Sequence, residues 1–273
     1  MDIWIELSDN RLPDRRRADK HARFPGLSKL ERNTAMKTYW ILVGSFGSGK
    51  SELVLNLALK KAKEGPCTVV DLDVINPYFR TSERGDVLTP AGVELIMPPF
   101  ALDKIEIMSL SARVYSAFSP GEGNVIFDIG GDDVGSIALG QYKVRFDQIP
   151  PERLNVLFVV NPMRPTAADF DSTMDTLGKI QYVSRLNVTG IVNNANLSVE
   201  TDAGHLAEGY ALMKQLSEAT GIPVWGTVGT REVLHSFQEY AKEHGLDPKF
   251  IGRYQPIEIL MHRSWDKFLA EGL

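Results

Sequence analysis

The sequence holds a single cysteine, Cys67, in 273 residues. No internal disulfide can form, and that usage predicts a reducing, cytoplasmic setting. Cys67 opens an apolar run, which predicts a buried inert thiol rather than a nucleophile. No uninterrupted apolar run reaches transmembrane length and no signal-peptide core is visible, so stable membrane insertion is not expected. Charge of one sign is not in excess either: 30 basic residues against 35 acidic ones leave a net charge of −5. That argues against a dominant nucleic-acid surface, and no specific nucleic-acid partner is expected. The five histidines show no metal-ligand spacing. Internal repeats and low-complexity blocks are missing as well. What remains, 43% hydrophobic and 24% charged, is the composition of a globular chain able to bury a sizeable core.

One stretch stands out. Gly44-Ser45-Phe46-Gly47-Ser48-Gly49-Lys50-Ser51 matches the phosphate-loop (Walker A) pattern G-x-x-x-x-G-K-[ST] in full. The run 38–43 before it is β-branched, aromatic and apolar and predicts a buried strand. Residues 51–63 after it place Leu53, Val54, Leu57 and Ala58 on one helical face. In that setting the glycines let backbone N–H groups converge on phosphate oxygens, and the new helix directs its positive end at the same anion. Lys50 would reach the β- and γ-phosphates, and the Ser51 hydroxyl would complete a Mg²⁺ shell.

Further along, strands are predicted at 68–72, 93–97, 125–129, 154–160, 188–192 and 223–227. Helices are predicted between them at 103–118, 134–148, 167–184, 202–220 and 230–244. This alternation predicts an α/β, doubly wound and mostly parallel sheet of about seven strands with helices on both faces. Residues 36–273 read as one nucleotide-binding domain. Residues 1–35 crowd Arg11, Arg15, Arg16, Arg17, Lys20 and Arg23 into a segment with little apolar periodicity. They read as a disordered extension, or as sequence upstream of a start at Met36, with a basic arm for an anionic partner as the alternative.

Ligands in such sheets sit beyond the carboxyl ends of the strands, so polar residues there are the candidates. The second strand ends in Asp71-Leu72-Asp73. Both carboxylates fall on one side of the strand, near the phosphate loop if the two strands are neighbours. One can hold a Mg²⁺ water while the other orients the attacking water, with Asp73 favoured; the alternative is that Asp71 merely accepts loop hydrogen bonds. The fourth strand ends Asp128-Ile129-Gly130-Gly131. An apolar strand delivering one Asp is the Walker B arrangement, and Gly131 lets a backbone amide approach the γ-phosphate. Asp132 and Asp133 read as caps of the following helix. After the sixth strand, Asn193 and Asn194 offer carboxamides to a purine edge, or else build a turn. The guanine-reading pattern N-K-x-D is absent, which points toward adenine. Arg164, after the fifth strand, reads equally as a phosphate ligand or a solvated loop residue.

The loop, the Asp-Leu-Asp and the Asp-Ile-Gly-Gly together resemble the CobQ/CobB/MinD/ParA class of P-loop proteins (SIMIBI-type), over most of 38–230. Asp-Leu-Asp-Val-Ile-Asn-Pro-Tyr-Phe-Arg resembles a signature of one bacterial ATP-binding branch. The resemblance implies ATP and Mg²⁺ as cofactors, phosphate binding by 44–51, a switch I role for Asp73, a Walker B role for Asp128 and adenine contact from Asn193 or Asn194. It also implies catalytic work for Lys50, Asp73 and Asp128, and metal contacts from Ser51, Asp73 and Asp128. The dimerising ATPases of the class carry a second lysine after the first loop glycine, where this chain has Ser45. That departure predicts slow turnover unless Arg80 or a partner supplies the charge, and it leaves a homodimer or another protein partner open.

Three functions fit these residues. The first is an ATP·Mg²⁺ switch with slow hydrolase activity. The second is an ATP-dependent kinase or ligase resembling the dethiobiotin or cobyrinate synthases, with a second-substrate pocket in 74–123 built around Tyr78, Phe79, Arg80, Pro98, Pro99, Phe100 and Lys104. The third is a non-hydrolysing ATP-binding assembly partner. The tail 257–273 reads as packed against the sheet edge, with a surface-lying membrane contact as the alternative.

Overall fold

Strands β1 Thr38–Val43, β2 Cys67–Asp71, β3 Val93–Ile96, β4 Asn124–Asp128, β5 Leu154–Val160, β6 Gly190–Asn193, β7 Val224–Gly229 and β8 Arg253–Pro256 form one sheet. Its order is β3-β2-β4-β1-β5-β6-β7-β8. The architecture comes from a computed structural model of the chain, which describes residues 36–72, 81–97, 113–131 and 133–261. Every neighbouring pair of strands runs parallel. This is the α/β, doubly wound fold that the sequence predicts, with eight parallel strands where about seven were expected.

Alternation along the central strands explains the layering. Tyr39, Ile41 and Val43 enter a core with Phe127, Phe158 and Val160 on one face. Trp40 and Leu42 enter a second core with Leu157 and Val159 on the other. Strands buried on both faces need apolar residues at every position, which is why β1 and β5 read as continuous runs.

Helix α1, Lys50–Ala62, covers the second face with Leu53, Val54, Leu57 and Ala58. A short helix α2, Gly85–Leu88, adds Leu88 to that layer. The first face is covered by α3 Asp133–Gly140, α4 Lys143–Phe146, α5 Phe170–Ser184 and α6 Ala203–Thr220. Helix α7, Arg231–Glu243, packs Leu234, Phe237 and Ala241 against Leu206 of α6 in a third cluster.

Three points differ from the sequence reading, and a fourth element is described only in part. The helix expected over 134–148 is two short helices, because the chain turns at Gln141-Tyr142 and restarts with Tyr142 in the cap position. Strand β8 was not expected: Arg253-Tyr254-Gln255-Pro256 has no apolar alternation, and only its edge position lets so polar a segment pair. Strand β2 does not neighbour β1, since β4 lies between them. Asp71 therefore faces Asp128 across the β2–β4 pair rather than adjoining the phosphate loop's own strand. Finally, of the helix expected over 103–118 only 113–116 falls among the described residues as helix. The extension 1–35 and the tail beyond Met261 lie outside the described residues.

Candidate functional site

Strand order reverses around β1, with β4 on one side and β5 on the other. That is where an open parallel sheet leaves a crevice, and the chain places Gly44–Ser51 there. Gly49 caps α1 at φ 84°, a left-handed conformation that a side chain would strain. A Cβ at this position would also run into the Asn194 amide. The turn closes through Ser48 N donating to the Ser45 carbonyl at 3.2 Å, and the helix starts with Leu53 N donating to Gly49 at 3.1 Å. Lys50 is buried, its ammonium donating to the carbonyls of Gly44 at 3.1 Å and Ser45 at 3.0 Å. The lysine thus lies along the inside of the loop, next to the first amides of α1, where an anion would be held.

Strand β4 brings Asp128 to the same edge. Its carboxylate is 1% exposed. The Thr81 hydroxyl donates to Oδ2 at 2.6 Å, while Oδ1 is buried with no hydrogen-bond partner among the described residues. Asp71, its register partner on β2, is fully buried as well. Burial first, and then the neighbouring Asp71 charge, push the Asp128 carboxyl up to about 7; the Thr81 hydrogen bond, the nearby Ser51 hydroxyl and the positive charge of Lys50 pull the other way. Two glycines later the backbone reaches the loop tip. A Cβ on Gly131 would stand 2.5 Å from Phe46 N and 2.6 Å from Phe46 Cα, so only glycine permits this approach.

The ends of β5 and β6 lock the loop from the other side. Asn194 N donates to the Val160 carbonyl at 2.9 Å, and the Asn194 amide donates to the Ser48 carbonyl at 2.7 Å. Asn161 ties the two strand ends together: its Oδ1 accepts from Met163 N and Asn196 N, and its amide donates to the Asn196 carbonyl. Arg164 is exposed, its side chain lying over Gly47. Asn193 is committed elsewhere. It is fully buried, donating to the Leu206 carbonyl of α6 at 3.1 Å and accepting from Ala195 N at 3.2 Å. The structure therefore separates the two asparagines: Asn194 stands at the loop and Asn193 stands in the core.

Between these walls opens a cleft of about 600 Å³, bounded by Gly47, Gly49, Lys50, Ser51, Arg164, Asn194 and Asn196. Its far side is apolar, formed by Val228, Ile257, Ile259 and Met261. The segment 257–261 is pinned along α1 by side chains of that helix. Asn56 exchanges two hydrogen bonds with the Glu258 backbone, at 2.9 and 2.8 Å, and Glu52 accepts from Leu260 N at 2.8 Å and Met261 N at 3.1 Å. Arg84 donates to the Leu260 carbonyl. This wall was missed in the sequence, although Ile257, Ile259 and Met261 alternate with period two, the mark of an extended segment with one apolar face.

Of the residues expected at the site, 44–51, Asp128, Gly131 and Asn194 converge here. Asp73, Arg80, Asp132 and the aromatic and proline residues of the expected second pocket lie outside the described residues. Asp71 and Thr81 join the site through Asp128.

No family model matches the chain, and no curated protein matches it. Solved structures do resemble it. The cell division protein FtsY of Thermotoga maritima is 18% identical with a TM-score of 0.44, over 72% of this chain and 65% of its own. Chloroplast FtsY of Physcomitrella patens is 17% identical with a TM-score of 0.45, over 73% of this chain and 61% of its own. A nucleotide-binding protein of Archaeoglobus fulgidus, solved with ADP, is 17% identical with a TM-score of 0.46, over 82% of this chain and 94% of its own. The chain thus spans less than two thirds of the length of these FtsY proteins. At such identities the likeness concerns the course of the sheet and assigns no residue a role.

Proposed function

We propose that this chain is a P-loop protein that binds ATP with Mg²⁺ in the cleft and hydrolyses it slowly, acting as a nucleotide-dependent switch. The observation that carries the reading is the meeting of a curled phosphate loop with a buried carboxylate that has one unpaired oxygen. Asp128 Oδ1 has been removed from water and given nothing in return, a costly state that a cation beside Ser51 would relieve. The donor set suits a hard cation that prefers oxygen ligands and keeps several waters. Ser51 and Asp128 would hold it, and Asp73 is their third candidate. When bound, Mg²⁺ would neutralise phosphate charge and orient the triphosphate.

The chain's own residues would do the rest. Backbone amides of 47–51 would surround the β-phosphate, and Lys50 would exchange its two loop carbonyls for phosphate oxygens. The Gly131 amide, set against Phe46 by a contact that excludes any side chain, would report whether a γ-phosphate is present. Arg164, lying over Gly47, would screen the loop from above. The apolar wall of Val228, Ile257, Ile259 and Met261 would take the face of the base. Adenine is favoured because no lysine and no carboxylate follow Asn193 in the guanine-reading pattern.

Phosphate release in single turnovers, with excess protein over Mg·ATP and over Mg·GTP, tests this reading. Wild type is expected to release phosphate from ATP over minutes or longer, and Lys50→Ala is expected to release none. Release at equal rates by the two proteins, or a preference for GTP, would overturn it.

A further inference from the structure

An aspartate carboxylate turns easily about its last torsion, which has two broad and nearly equivalent settings. Strand β4 therefore delivers Asp128 to the sheet edge without fixing which oxygen a ligand would meet. Thr81 makes that choice. Its hydroxyl donates to Oδ2 at 2.6 Å, within the short range of a hydroxyl on a carboxylate oxygen. Thr81 is itself fully buried, and a β-branched side chain has few rotamers open to it. With Oδ2 engaged, Oδ1 is the oxygen left without a hydrogen-bond partner among the described residues.

The donor is braced from both directions. Thr81 opens the 3₁₀ turn Thr81–Arg84. At the other end of that turn, Arg84 donates to the Leu260 carbonyl and pairs with Asp86 at 3.1 Å. Leu260 belongs to the segment that Glu52 and Asn56 pin along α1. The turn thus joins the buried carboxylate to the wall of the nucleotide cleft. No sequence pattern marks Thr81: it lies in neither the phosphate loop nor the Asp-Ile-Gly-Gly run, and 47 residues separate it from Asp128.

A carboxylate that serves only the fold has both oxygens engaged. Glu52 is such a case, with Oε1 accepting from Leu260 N and Oε2 from Met261 N. Asp128 differs: one oxygen is held and the other is kept open, although the group is 1% exposed. We propose that Thr81 is a positioning residue for the divalent cation, its hydroxyl locking the Asp128 carboxylate so that Oδ1 is offered as the ligand. This inference rests on the reading of Asp128 as a cation ligand given above. Hydrogen bonds of this kind orient metal-binding carboxylates, and losing one ordinarily costs about ten- to hundredfold in metal affinity.

Mn²⁺, which takes the same oxygen donors as Mg²⁺, is the probe, its uptake by the full chain followed by electron paramagnetic resonance with and without ADP. Thr81→Val keeps the side-chain shape and removes the hydroxyl; it is expected to bind Mn²⁺ about tenfold more weakly than wild type, or worse. With a chelator in place of the cation, the two proteins are expected to bind ADP alike. Thr81→Ser restores the hydroxyl and is expected to recover most of the lost Mn²⁺ affinity. Circular dichroism checks folding, and Thr81→Ala takes the place of Thr81→Val if that variant does not fold. Unchanged Mn²⁺ affinity without the hydroxyl, an equal loss of ADP binding under chelator, or no recovery in Thr81→Ser would each overturn the proposal. Wild type that takes up ADP but no Mn²⁺ would overturn it too and leave nucleotide binding standing. Mn²⁺ uptake without ADP uptake would sink the nucleotide reading, and the Thr81 variants would then decide the proposal on nucleotide-free protein.

Discussion

Replacing Asp128 by Asn should make the ligand-free protein more stable at alkaline pH while removing part of its site. The carboxyl is buried beside the equally buried Asp71, and the fold raises it from 3.8 to about 7. A raised carboxyl means that the folded state holds its proton more tightly than the unfolded chain does. Stability from this group is therefore full below pH 4 and is lost as pH climbs toward and through 7. Each tenfold gain in proton affinity on folding is worth about 1.4 kcal/mol, so the ceiling above neutrality is about 4 kcal/mol. Because Asp71 shares the proton affinity of the pair, roughly half of that is expected to return when one charge is deleted. The uncharged amide can still accept from Thr81. Urea unfolding at pH 5 and pH 8.5, without nucleotide, measures the effect. Wild type should lose stability between the two values relative to Asp128→Asn, and the variant should exceed wild type by about 2 kcal/mol at pH 8.5. A variant less stable than wild type at pH 8.5 would refute the reasoning, because it would mean that the carboxylate is stabilised by its surroundings.

Other substitutions probe the neighbouring contacts. Gly131→Ala places a methyl group 2.5 Å from Phe46 N; it should lower nucleotide affinity about tenfold or more and cost about 1–3 kcal/mol in urea unfolding, and wild-type values in both assays would contradict the close approach. Asn194→Ala strips the Ser48 carbonyl of its buried donor and should cost about 1–3 kcal/mol, read as a lower urea midpoint at an unchanged slope. Gly209→Ala would bring a Cβ within 2.7 Å of Asn193 Cγ and break that amide's two bonds; calorimetry at a temperature where the variant remains folded should show destabilisation with unchanged nucleotide affinity.

The outcome for the two asparagines shows where sequence reasoning reaches its limit. Asn193 closes β6 and Asn194 follows it, so the two side chains leave the strand end in different directions, one to α6 and one to the loop. The letters alone make both equal candidates; only the position of α6 decides. The same holds for Asp71, whose spacing from Asp73 was legible but whose partner was not. Its closeness to Asp128 follows from β4 inserting between β2 and β1, a fact about strand order rather than composition. The phosphate loop, by contrast, carries its own geometry: glycines where the backbone must curl, an apolar strand before it and an amphipathic helix behind it. Strand β8 and the wall at 257–261 were hidden for another reason. Their places depend on hydrogen bonds from Asn56 and Glu52, some 200 residues distant, and no local pattern records such a pairing.

Calorimetric titration with ATP, in the presence and absence of Mg²⁺, tests the central claim most directly. Wild type should take up nucleotide at one saturable site, more tightly with magnesium, and Lys50→Ala should bind at least tenfold more weakly. Folded wild-type protein that takes up no ATP, or a Lys50→Ala variant that binds it as well as wild type does, would contradict the account.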